Sequence, residues 1–152
     1  MNEKTYILAI DTTAPDTGIG ITGEKLTKIK TWVSEHNQSQ ELLPKIDQLL
    51  KVNRVKPEQL KWVAVNLGPG SFTGLRVGIS TANAFGYGLQ IPVISASKLE
   101  GTITERIRTL FQLTPKTKKF RQVLPVYGSP PHITQPRRAE KPSGPETKLR
   151  YS

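Results

Sequence analysis

Two groups of residues carry types and spacings that bear on chemistry. One is a carboxylate closing an apolar run, Asp11 in Leu8-Ala9-Ile10-Asp11-Thr12. The other is a glycine-rich turn opening a helical segment, Asn66-Leu67-Gly68-Pro69-Gly70-Ser71-Phe72-Thr73-Gly74-Leu75-Arg76-Val77-Gly78. A turn of this kind presents backbone N–H groups and the positive end of a helix dipole, so it can cradle a phosphate or a carboxylate. The spacing matches neither standard phosphate loop. A Walker A loop needs Lys and then Ser or Thr after its last glycine, where this chain has Leu75-Arg76; a dinucleotide fingerprint begun at Gly68 needs glycine at 73, which is Thr. Two readings stay open: a structural turn, or an anion or nucleotide site built from Asp11, Thr12, Gly68, Gly70, Ser71 and Arg76. The histidines are His36 and His132, and cysteine is absent, so no metal site of this chain's own is expected. Unless the nucleotide reading holds, no cofactor is expected. No Gly-x-Ser-x-Gly elbow marks a nucleophilic serine.

The segment after the turn suggests a different kind of work. Gly74, Gly78, Ala82 and Gly86 recur every four residues and line one side of a helix with almost no side chain. An interior glycine costs about 1 kcal/mol relative to alanine, so the stripe implies close approach of another backbone. That neighbour is either the chain's own sheet or a helix of a second chain, with Leu75, Ile79 and Phe85 flanking the contact.

These segments must be positioned by the rest of the fold. Tyr6 to Ile10 reads as a strand, Gly18 to Thr22 as a second, and Thr27 to Val33 as a third after a turn at Gly23-Glu24-Lys25, together an antiparallel meander. Leu42, Leu43, Ile46, Leu49 and Leu50 form a helical stripe. Pro44 is accommodated if that helix starts near Gln40, whereas a start at Asn37 with Gln40 closing a capping box would place the proline inside it. A short turn at Pro57 to Leu60 leads into a strand at Trp62 to Val65, followed by the glycine-striped helix from about Thr73 to Tyr87. Ile91 to Ser95 is a fifth strand. Ser97 and Glu100 have the spacing of a capping box for a third helix with Leu99, Ile103, Ile107 and Leu110 on its apolar face. The order β-β-β-α-β-α-β-α predicts an α/β lobe with a mixed sheet, since helical crossovers bring parallel strands.

Charge divides the chain at about residue 113. Residues 114–152 hold nine Lys or Arg and two Glu, giving +7 of the formal net charge of +10 and leaving +3 for residues 1–113. The expected organisation is a lobe over 1–113 and a basic, Pro-rich, irregular tail over 114–152. Lys116, Lys118, Lys119, Arg121, Arg137 and Arg138, with Phe120 and Tyr127 among them, could contact RNA phosphates and stack on unpaired bases; the plainer alternative is a solubilising tail. No apolar run approaches the ~20 residues of a membrane helix, no signal-peptide pattern opens the chain, and a soluble, cytoplasmic protein is expected.

The turn from Gly68 to Gly78, together with Leu8 to Thr12 and Leu42-Leu43-Pro44-x-Ile46, resembles the TsaB family of bacterial tRNA threonylcarbamoyladenosine biosynthesis proteins over roughly the first hundred residues. The resemblance implies one lobe of the actin-like and ribonuclease-H-like folds. Full-length members have two lobes, and the island at 123–127 is similar to a segment near the end of the second, so a short form lacking most of that lobe is implied. It further implies a non-catalytic scaffold that pairs with a TsaD-like catalytic protein, and with a TsaE-like ATPase, in modification of tRNA at position 37. A homodimer is the resting alternative. The pairing surface it implies lies on the first two helices, through Leu42, Leu43, Ile46, Leu50, Gly74, Leu75, Gly78, Ile79, Ala82 and Gly86. Two departures stand out. Gln38-Ser39 replaces the family's frequent His-Ser, and Asp11-Thr12-Thr13-Ala14 lacks the glycine with which related ATPases bring the backbone close to phosphate.

Overall fold

The computed structural model describes residues 4–124, so Tyr127, His132, the cations from Arg137 onward and most of the 123–127 island lie outside the described residues. The chain folds as the expected lobe. Strands β1 (Tyr6–Asp11), β2 (Asp16–Gly23) and β3 (Thr27–Val33) are followed by helix α1 (Gln38–Val52), a single 3-10 turn at Pro57–Gln59, β4 (Leu60–Asn66), α2 (Phe72–Leu89), β5 (Val93–Ala96) and α3 (Ile103–Phe111). The sheet order is β3-β2-β1-β4-β5. β1 to β3 form the antiparallel meander, with Ala9 opposite Gly20 and Ile19 opposite Lys30. β4 and β5 add in parallel, with Ala9 beside Ala64 and Val65 beside Ser95. This is the mixed-sheet lobe of the actin-like and ribonuclease-H-like folds.

Side-chain alternation on the two central strands decides which layer goes where. Leu8, Ile10, Val63 and Val65 point to one face and are sealed by Leu42, Ile46 and Leu50 of α1 and by Leu75, Ile79 and Ala82 of α2. Burying each such Leu, Ile or Val contributes about 1.5–3 kcal/mol. The opposite face presents Ala9 and Ala64, and onto it pack Ile107 and Leu110 of α3. Gly18 and Gly20 extend this smooth surface; a Cβ on either would meet Ile103, Ile107 or Phe111.

The structure decides where two helices start. α1 takes the earlier of the two expected starts, at Gln38 after Asn37 in the cap position, so Pro44 sits within the helix, although Asn37 makes no side-chain cap bond. α3 begins five residues later than a Ser97–Glu100 box requires. Thr102 accepts from the Glu105 N–H, and the Glu105 carboxylate accepts from the Thr102 N–H, which makes the capping box five residues further along. The reason is tertiary: Lys98 and Gly101 take left-handed backbone angles, and the Lys98 N–H donates to Gly68 O at 2.7 Å, tying the segment before α3 to the glycine-rich turn.

Candidate functional site

The carboxyl ends of β1 and β4 place Asp11 and Asn66 side by side, and α3 brings Arg106 to them. Asp11 is wholly buried. Its Oδ1 accepts from the Thr13 N–H at 3.0 Å and from the Thr13 hydroxyl at 2.8 Å. Oδ2 accepts from Asn66 Nδ2 and from Arg106 Nε, both at 2.9 Å. A carboxylate offers about four lone-pair sites, and these four donors fill them. The network continues outward, because Asn66 Oδ1 accepts from the Gly68 N–H and Arg106 Nη1 donates to Gly101 O. Asp11 is thereby a joint between β1, the turn after β4 and α3.

The glycine-rich turn is likewise turned inward. Ser71 caps α2 by accepting from the Gly74 N–H at 3.0 Å, and its own N–H donates to Thr13 O. Thr12 is buried and its hydroxyl donates to Gly74 O at 2.5 Å. Arg76 lies on the outer face of α2, its guanidinium 5.1 Å from the centre of the Phe72 ring. The six residues of the candidate anion site therefore do not converge on one volume: Asp11, Thr12, Gly68 and Ser71 are bonded to the chain itself, Gly70 backs onto Thr13, and Arg76 points away.

The small-residue stripe has the same fate. A Cβ on Gly74 would strike Thr12 O, one on Gly78 the Thr12 hydroxyl, and one on Gly86 the side chains of Val93 and Phe120; Ala82 is fully buried. The backbone approached by α2 is that of the β1–β2 turn, not a foreign helix. Of the two readings of the stripe the inner one holds, and Gly74, Gly78, Ala82 and Gly86 are withdrawn from the expected pairing surface on that ground. Leu42, Ile46, Leu50, Leu75 and Ile79 are core residues too, and of the expected interface set only Leu43 is exposed, at 55%.

Two concave features border the first turns of α1 and α2. A cleft of about 650 Å3 lies where the first turns of α1 and α2 face the β1–β2 turn, lined by Pro15, His36, Gln38, Ser39, Phe72 and Thr73 among others. Gln38 shapes it by donating through Nε2 to Ala14 O and to the Thr17 hydroxyl. A shallower groove of about 380 Å3 runs between the outer faces of α1 and α2, lined by Ser39, Thr73, Arg76, Val77, Ser80 and Thr81. At the larger cleft, which Ser34 lines, Glu41 accepts from the Ser34 hydroxyl at 2.6 Å and from Trp32 Nε1. The Ser34 bond, with Trp32 and the charge of Lys45 behind it, holds the Glu41 carboxyl below its ordinary value. Among the described residues, no group of three or more His, Cys, Asp or Glu is placed to hold a metal ion, and no helix is long and apolar enough to cross a membrane.

Arg106 and Asn66 were not singled out from the sequence. Arg106 had a signal, for it falls inside the apolar stripe Ile103, Ile107, Leu110, and a charge on a buried face calls for a buried partner.

Comparison with known proteins sets this geometry in context. The model of the TsaD family, described as tRNA N6-adenosine threonylcarbamoyltransferase, matches residues 31–113. The tRNA threonylcarbamoyladenosine biosynthesis protein TsaB of Bacillus subtilis is 35% identical over 96 residues, 62% of this chain and 42% of that protein. TsaB of Escherichia coli is 29% identical over 93 residues, 61% of this chain and 40% of that protein. Among solved structures, YeaZ from Pseudomonas aeruginosa aligns with a TM-score of 0.59 at 29% identity, over 61% of this chain and 44% of that one. The chain thus spans about two fifths of the length of the curated relatives it matches.

Proposed function

The chain belongs to the TsaD family, and on that premise, with TsaB proteins among its relatives, we propose that it serves threonylcarbamoyladenosine modification of tRNA as a non-catalytic subunit docking on a TsaD-like protein. The observation that carries the reading is the outer surface of α1 and α2. It presents Leu43 and Phe72, exposed by 55% and 48%, and a shallow groove walled by Ser39, Thr73, Arg76, Val77, Ser80 and Thr81. Small and apolar residues without carboxylates on α2 let a partner helix approach closely. The non-catalytic role is supported by Asp11, whose lone pairs are committed to Thr13, Asn66 and Arg106 and so are not offered to a metal or a substrate.

Co-expression with a TsaD-like protein followed by gel filtration tests the proposal. Co-elution is expected, and Leu43→Glu, a change at an exposed position, should abolish it while leaving the melting temperature unchanged. Separate elution of the unmodified chains, or a homodimer of this chain that persists in excess partner, would defeat the reading.

A further inference from the structure

We propose that the C-terminal end of α2, with the segment 116–124 strapped across it, forms a platform for unpaired RNA, in which the Tyr87 ring stacks on a base and Lys116, Lys118, Lys119 and Arg121 hold the flanking phosphates. The strap is held at defined points. Asn83 on α2 donates through Nδ2 to Val123 O and accepts from the Val123 N–H, both at 3.0 Å, so one amide side chain takes both polar groups of one residue. Three residues earlier, Phe120 lies over Gly86 and Val93, in the space a Cβ on Gly86 would fill. Its edge meets Tyr87, with ring centroids 6.0 Å apart and planes 70° apart. Tyr87 is nevertheless 70% exposed. A large aromatic ring is thus fixed from one side and open on the other.

The charge that α2 and the strap contribute has one sign. α2 contains Arg76 and no Asp or Glu. Residues 114–124 contain four cations and no carboxylate, and all four are exposed. Lys119 and Arg121 adjoin Phe120 in sequence, which sets their Cα atoms about 3.8 Å from that of the residue touching Tyr87. Cations following a backbone beside an exposed aromatic ring are the two components of single-strand recognition: phosphates neutralised in a row and a base on a π-face. An acidic protein surface would use the cations, but unlike a single strand it does not supply a flat π-face in step with every negative charge. Anchoring by Asn83 and Phe120 also reduces the ordering cost of engaging the cations.

The choice of RNA rests on the role proposed above. The test uses the full chain alone, so a failure of pairing and a failure of RNA binding are read separately. Anisotropy of a fluorescein-labelled unstructured RNA oligonucleotide at low salt should report binding that Tyr87→Ala weakens about five- to 140-fold, the range expected for losing one stacked base, and that Tyr87→Phe retains. Lys118→Gln with Lys119→Gln should lower the slope of log affinity against log salt by about 1.4, at about 0.7 per phosphate contact on a single strand. Unchanged affinity in Tyr87→Ala, or polyglutamate displacing the oligonucleotide as well as unlabelled RNA does, would overturn the proposal.

Discussion

Removing the Arg106 guanidinium is the sharpest perturbation available at the end of β1. Asp11 is 0% exposed, Arg106 keeps 15% of its side chain in solvent, and Nε to Oδ2 is 2.9 Å. Deleting one partner of a buried pair costs about 3–5 kcal/mol, because the other charge is left buried without compensation. Here the Thr13 N–H, the Thr13 hydroxyl and Asn66 stay on the carboxylate. That places Arg106→Met at the low end, about 2–3 kcal/mol. Against a total of about 5–15 kcal/mol for a domain this is a large fraction, equivalent to a melting temperature about 10 °C lower. Asp11→Asn should cost less, about 1–2 kcal/mol, since Arg106 reaches water at its exposed edge. The double variant contains no uncompensated charge and should therefore be more stable than the sum of the singles predicts, by about 2 kcal/mol. Urea denaturation followed by Trp32 and Trp62 fluorescence measures all four corners of the cycle. Singles that add to within about 0.5 kcal/mol, or an Arg106→Met that melts with the parent, would refute the account of Asp11 as an internally neutralised joint.

Two further perturbations test neighbouring parts of the argument. Gly78→Leu should destabilise the lobe by about 3 kcal/mol or more, because its Cβ alone would meet the Thr12 hydroxyl under α2; a soluble variant with parental stability in chemical denaturation would return the stripe to the surface. Ser34→Ala removes the bond that does most to lower the Glu41 carboxyl. A carboxylate lowered on folding stabilises the fold above its unfolded value of about 4.3, and that contribution vanishes as pH falls through the lower folded value. The variant should therefore melt below the parent at pH 7 and converge with it at pH 3; a gap of equal size at both values would show that Ser34 acts through packing rather than through the charge.

The sequence by itself determined the elements and their order. Apolar alternation in Thr27–Val33 and helical spacing in Phe72–Leu89 are local properties that fix a strand or a helix wherever the segment ends up. The resemblance over the first hundred residues carried the lobe and the family. What the spacing of Gly74, Gly78, Ala82 and Gly86 could not say is which backbone comes close, since a thin helix face serves an inner sheet and an outer partner equally. Only packing α2 over the β1–β2 turn settled that Thr12 is the neighbour and that Leu43 stays outside. Asp11 was similarly legible as a carboxylate at a strand end and illegible in its role. Its partner Arg106 lies 95 residues away and reaches it because β1 and β4 pair in parallel and α3 crosses back over the alanine-smooth face of the sheet. Residue types and short spacings are written in the chain, but which polar group meets which across such distances is decided by strand pairing and burial. These hold only once the whole sheet exists.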